Sequence, residues 1–189
     1  MSEPTLFGIS KPVWEMINSF ANWFAAAGSL AAAGVALYLA NRAGKPSALV
    51  TIGHRIAIGP GSKKPYPEFA LFKIANTGDR PIRVVQIGWR MGIFKKCFAV
   101  QMYDERQSSS LPIELSHGQE ATWMIPLNAR DELWIEYFSK GFLLPHYRTA
   151  LWTLRGQFFT SVGHVFEKRP EVNLVNRLKE ACVKLKNAS

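Results

Sequence analysis

Acidic residues are scarce in this sequence. Fourteen Asp and Glu stand against 23 Lys and Arg, leaving a formal charge of +9 and a pI near 9.8. Such a surface attracts anionic partners, either lipid headgroups or nucleic acid. Cysteine is scarcer still. Cys97 and Cys182 lie far apart with no metal-ligand spacing. They allow one disulfide at most, which excludes a disulfide framework and fits a reducing compartment better than an oxidising one.

Catalytic signatures are missing too. No Gly-x-Ser-x-Gly elbow is present, and Ser108–Ser110 reads as a loop. "GPGSKKP", residues 59–65, holds Gly, Ser and Lys but lacks the spacing and the following helix of a phosphate-binding loop. The four histidines, His54, His117, His146 and His164, are scattered. The nearest thing to a cluster is His117 with Glu114 and Glu120, in a predicted hairpin turn where polar residues are structural. Asp79 and Arg80 shape a turn. The expectation is a protein that is not an enzyme, with no cofactor and no metal. Internal repeats and βαβ alternation are absent as well, so a parallel α/β sheet is not expected.

One absence is local. From Met16 to Asn41 there is no charged residue, a run of 26. A membrane helix needs about 20 predominantly apolar residues. Ala and Gly dilute this run, and Asn18, Asn22 and Ser29 interrupt it. A soluble surface helix of that length would still carry charge on its outer face. Trp14 and Trp23 lie toward one end and Tyr38 toward the other, where a bilayer interface favours aromatic rings. Pro12 suits a first helical turn, with Ser10 before it as a cap. A cleaved signal fits less well, because Glu3 and Glu15 flank a run longer than a signal's apolar core.

Cations set the expected orientation. Only Lys11 precedes the run, whereas Arg42, Lys45, Arg55, Lys63 and Lys64 follow it. The richer side stays cytoplasmic. This predicts a single-pass protein of the bacterial inner membrane, N-terminus outside and C-terminal domain in the cytoplasm. Arg42, Lys45, Lys63 and Lys64 would then meet anionic headgroups, at about 1 kcal/mol each. Along the helix, Ala21, Ala25, Gly28 (or Ser29), Ala32 and Ala36 recur at three- and four-residue steps. Small residues let helix backbones approach closely in lipid, so this ridge predicts self-association into a homo-oligomer.

From Ser47 the pattern turns to β. "ALVTIGHRIAIG" is followed by a Pro/Gly loop, then by a strand placing Ala70, Phe72 and Ile74 on one face. "NTGDRP" supplies a turn. Strict alternation over 82–90 sets Ile82, Val84, Gln86 and Gly88 opposite Arg83, Val85, Ile87 and Trp89. "CFAVQMY" reads as a strand, and 111–127 as two short strands around a Ser116–Gln119 turn. Asn128, with Asp131 and Glu132 after it, starts a short helix that Gly141 stops. "TALWTLRGQFF" and "GHVFE" return to β. The end is a basic amphipathic helix with Leu174, Leu178, Ala181 and Leu185 as its apolar line. Phe72, Trp89, Trp123 and Trp152 are the expected core aromatics.

The reading is mainly β: seven or eight short strands, as in a β-sandwich. Its parts are an N-terminal tail (1–13), a transmembrane helix (14–42), a linker (43–47), a sandwich (48–169) and a C-terminal helix (170–189).

"IANTGDRPIRVVQIGWR", "LPIELSHGQEATWMIPLNARDEL" and "LRGQFFTSVGHVFE" together resemble a pattern in uncharacterised small bacterial and phage membrane-anchored proteins. In it an Asn-x-Gly-x-Arg-Pro turn joins two strands. A Leu-Pro strand, a Gly turn, a short helix and a final hairpin follow. The usual Asp-Ser-x-Gly of that hairpin is Thr160-Ser161-Val162-Gly163 here. The resemblance spans residues 68–168 and implies an immunoglobulin-like sandwich beside a membrane helix.

Three function classes follow. The first is an inner-membrane-anchored cytosolic module that binds a cytosolic protein, in phage exclusion or defence. The second is a self-associating, membrane-perturbing effector triggered through its cytosolic domain. The third is a membrane-tethered nucleic-acid-binding protein. It would use Lys63, Lys64, Arg80, Arg83, Arg90, Lys95 and Lys96, with Trp89 and Phe94 to stack on bases. A domain facing anionic lipid explains the same charge more simply.

Overall fold

The computed structural model describes residues 5–6, 9–43, 45–59, 64–127 and 133–187. The chain divides into two compact units, residues 1–45 and 46–189. In the first, a two-stranded pair, β1 (Thr5–Leu6) and β2 (Ile9–Ser10), leads into α1 (Lys11–Ala43). Pro12 falls in the first turn of α1, as expected. Residues Pro12–Ala40 are long and apolar enough to cross a membrane. From Asn18 to Ala40 every residue of α1 is exposed.

The second unit is mostly β, built from two antiparallel sheets. One has the order β3 (Ala48–Ile56), β4 (Glu68–Asn76), β8 (Glu120–Pro126). The other runs β10 (Val165–Lys168), β9 (Arg155–Thr160), β5 (Ile82–Met91), β6 (Cys97–Val100). The short β7 (Ile113–Leu115) also pairs with β5, at its Ile82–Val84 end. Apolar side chains from both sheets meet in one core. Phe72 of β4 lies edge-on to Trp89 of β5, centroids 4.8 Å apart, and Phe158 of β9 packs between Phe72 and Trp123. The sheets approach closely at Gly156, where a Cβ would collide with Ile52 of the opposite sheet.

The alternation of β4 is as expected, with Ala70, Phe72 and Ile74 buried. That of β5 is not. Val84 and Gln86 face the consecutive residues Thr160 and Phe159, so Val85 is an extra residue in a β-bulge. The bulge turns the strand over. Ile82 and Val84 then share the buried face with Ile87 and Trp89, which strict alternation had placed opposite them.

The turn at Ser116–Gln119 does not close a hairpin either. β7 pairs with β5 and β8 with β4, so the chain crosses here from one sheet to the other. Asn76 pins this crossing. Its buried amide donates to the carbonyls of Arg80 and Leu115, both at 2.8 Å, and accepts from the Gly78 N–H at 2.9 Å. Both N–H donors and the carbonyl oxygen of the Asn76 amide are thereby engaged. At the last hairpin, Thr160 donates its hydroxyl to the His164 carbonyl at 2.7 Å.

The helical part is larger than expected. The predicted cap Asn128, with Asp131 and Glu132, lies outside the described residues. α2 (Trp134–Phe138) continues into a π-helical turn, Ser139–Leu143, so Gly141 is inside a helical turn and does not end one. A further helix, α3 (Tyr147–Thr153), occupies half of the segment expected as strand. Trp152 is therefore 60% exposed on α3 and no part of the core, whereas Phe72, Trp89 and Trp123 are fully buried. In α4 (Val172–Asn187) the buried line is Leu174, Leu178 and Cys182, at four-residue steps. Ala181 and Leu185 only flank it.

This assignment separates two tryptophans. Trp123→Ala removes a core aromatic and costs about 3–5 kcal/mol, read as a lowered Tm of the β unit. Trp152→Ala changes stability by less than about 0.5 kcal/mol, as at an ordinary surface position.

Candidate functional site

Three surfaces carry chemistry. The first is α1. Ala21, Ala25, Gly28, Ala32 and Ala36 are all exposed on it. A Cβ at Gly28 or Gly34 would meet nothing within 4 Å. Ser29 satisfies its hydroxyl within the helix by donating to the Ala25 carbonyl at 2.9 Å, a usual solution for Ser in an apolar helix. The ridge therefore carries no side chain at Gly28, and the Ser29 hydroxyl is turned back onto the helix.

The second surface is basic. Lys45 and Lys64 are exposed. Lys63 and the side chain of Arg42 lie outside the described residues. Two of the other cations singled out by the sequence are engaged. Arg55 makes two hydrogen bonds to Glu171, at 2.7 and 2.9 Å, and Arg90 binds Glu167 at 2.7 Å. Trp89 is buried, donating its indole N–H to Gln101 at 2.6 Å, so it cannot stack on a base.

Arg55 belongs to a charged clamp that ties α4 to the three-stranded sheet. Glu68 on β4 accepts from Arg177 of α4 at 2.6 Å and lies 3.0 Å from His54 of β3. In the first turn of α4, Asn173 accepts from the Leu174 N–H, and its amide donates to the His54 carbonyl. Burial works to raise the Glu68 pKa, but the Arg177 guanidinium and then His54 outweigh it and hold the carboxyl below its ordinary range. At Glu171 the hydrogen bonds from Arg55 dominate and lower the pKa likewise. Beneath the helix, burial pushes the Cys182 thiol up despite the Ser139 hydroxyl beside it. His117 joins no carboxylates. Its Nδ1 lies 3.1 Å from the Gly78 carbonyl, while Glu120 pairs with Lys73 at 2.7 Å. Both cysteines are free, Cys97 exposed and Cys182 buried.

The third surface was not anticipated. Between the β5–β6 loop and the segment from the π turn through α3 lies an open apolar cleft of about 640 Å³. Met91, Ile93 and Phe94 form one wall, and Phe142, Leu144 and Trp152 the other. An aromatic chain supports it from below. Trp89 packs on Phe138 at 5.2 Å, and Phe138 on Phe142 at 5.2 Å. Gly92 sets the loop. Its φ of +92° favours glycine, and a Cβ there would strike the Lys95 carbonyl. Its N–H donates to the Thr153 hydroxyl at 3.0 Å, fastening the loop to α3. Phe94 at the tip is 99% exposed. The sequence signal was "GIFKK", an apolar pair beside two lysines, but nothing local showed that α3 would face it.

No family model matches the chain, and no curated protein matches it. Among solved structures, a Bordetella pertussis chain described as an ApaA protein is similar over 67% of this chain and 89% of its own, at 15% identity and a TM-score of 0.30.

The clamp gives an acid-sensitive attachment of α4. Both carboxylates have lowered folded pKa values, so their contribution is complete above the ordinary Glu value of about 4.3 and is lost as pH falls through the folded values. Because these pairs are part exposed, Arg177→Ala costs about 1 kcal/mol or less at neutral pH. In a Cys97→Ser background the buried Cys182 then reacts with a thiol reagent up to roughly fivefold faster than in wild type. The variant also loses less stability than wild type when acidified.

Proposed function

We propose that this chain is a single-pass protein of the bacterial inner membrane, anchored by α1. In this reading its N-terminus is outside, and its β unit is a cytosolic, immunoglobulin-like interaction module that recognises a cytosolic protein. Phage exclusion or defence is the setting that the turn pattern of residues 68–168 suggests. The carrying observation is α1 itself: 26 uncharged residues, exposed along their described length with Trp23, Phe24, Leu30 and Leu37 outward. An all-round apolar helix needs cover, and lipid supplies it. The cations after the helix favour the inside orientation. The exposed edge of β6, with Phe98 and Val100 outward, offers a place for a partner strand to add.

The test is a reporter active only in the periplasm, fused to the C-terminus. The reading predicts no activity there and full activity when the same reporter is fused to the N-terminus. A strong C-terminal signal would sink the assignment.

A second reading, the self-associating effector, has its own support in the unobstructed ridge at Gly28 and Ala32. It predicts that wild type cross-links as an oligomer in membranes, whereas Gly28→Leu and Ala32→Leu insert equally well but cross-link several-fold less. A monomeric wild type, or variants that cross-link as well as wild type, leaves only the anchored module. Nucleic-acid binding is the weaker reading, since Trp89 is buried and Arg90 is paired with Glu167.

A further inference from the structure

The geometry points to the tip of the apolar cleft as a second membrane contact. Ile93 and Phe94 seat at the boundary between headgroups and acyl chains of an anionic bilayer. Lys95 and Lys96 beside them, with Lys140 and Arg148 on the chain segment that supplies the other wall, meet lipid phosphates. This rests on the membrane-anchored reading of α1 and adds to it a site in the β unit.

Charge complementarity selects the occupant. The two segments that line the cleft, residues 91–97 and 142–153, contain three cations, Lys95, Lys96 and Arg148, and no carboxylate, and Lys140 lies two residues before the second. All four cations are exposed, and among the described residues none is paired with an acid. Arg55, Arg90 and Arg177, by contrast, are paired with carboxylates. Two adjacent lysines left unneutralised beside an apolar tip match an interface that is apolar inside and negatively charged outside.

The apolar part suits the same interface. Phe94 has no protein cover at all, and Ile93 and Trp152 beside it are more than half exposed. Tryptophan at a cleft rim is the residue type that settles at headgroup level. The tip is also held in place before it meets anything. Gly92 fixes the turn and its N–H is tied to Thr153, so docking requires little ordering of the loop. Finally, only residues 44–47 separate α1 from β3, which keeps the β unit at high local concentration beside any bilayer that α1 crosses.

The experiment uses the full chain with Cys97→Ser, since Cys182 is buried, reconstituted into vesicles. An environment-sensitive fluorophore is attached at Phe94→Cys, at Leu30→Cys in α1, or at Val162→Cys, an exposed position in the β9–β10 turn, beyond the end of β9 opposite the one that adjoins α3. Vesicles are phosphatidylcholine alone or with phosphatidylglycerol, and each carries lipid spin labels at shallow or deep positions. In anionic vesicles the probe at position 94 shifts to the blue and is quenched best by the shallow label, while that at 162 stays aqueous. Lys95→Gln with Lys96→Gln lowers the docked-to-undocked ratio roughly fivefold per lysine, as does omission of the anionic lipid in part. If position 94 remains accessible to aqueous iodide while position 30 is quenched by the deep label, the loop contact is refuted and the anchor stands. If position 30 is aqueous as well, the anchored reading falls with it. A blue shift at 94 without quenching by either lipid label means that protein, not lipid, covers the cleft, and overturns the proposal.

Discussion

One extra residue in β5 governs the larger sheet. Without the bulge at Val85, either Ile82 and Val84 or Ile87 and Trp89 would point at solvent, because side chains along a strand alternate strictly. With it, both pairs reach the core. Trp89 then stands at the junction of everything else. It meets Phe72 of the opposite sheet, binds Gln101 beyond β6, and supports Phe138 and the π turn. The wall of the apolar cleft at Phe142 is the next ring in that series. The cleft is therefore a consequence of how the core is closed.

The C-terminal helix is held in two ways that respond to different conditions. Leu174, Leu178 and Cys182 bury an apolar line whose contribution is insensitive to acid. The Arg55–Glu171 and Arg177–Glu68 pairs orient the helix across β3 and β4. Gly53 lies under the first of these pairs, where a Cβ would collide with the Glu171 carboxylate. Basic residues that look in sequence like a binding surface are in these places structural. Lys95 and Lys96 beside the cleft have no carboxylate partner among the described residues.

Much of the architecture was legible in the sequence, and the reasons are local. Period-two burial marked β4, and the uncharged run marked α1. The turn residues at Asn76–Pro81 marked the turn between β4 and β5, though not that these strands belong to different sheets. What could not be read depended on distant partners. The bulge is visible only against β9. Ser116–Gln119 looks like any hairpin turn until β7 and β8 are seen to choose different sheets. "YRTALWT" contains β-formers and becomes a helix because Ala150 and Leu151 pack into the core. Trp152 was misplaced for the same reason. The ridge of α1 could be named residue by residue, whereas the cleft joins residues some 50 positions apart and had no local signature.

All of these features serve a protein at a membrane only if α1 truly spans one. The most direct test is extraction of native membranes with alkaline carbonate, followed by partition in a detergent that separates into an apolar phase. An integral helix predicts that the full chain stays in the membrane pellet and then enters the detergent phase. Release into the carbonate supernatant would show that the exposed apolar face of α1 is covered by protein, and would contradict the account.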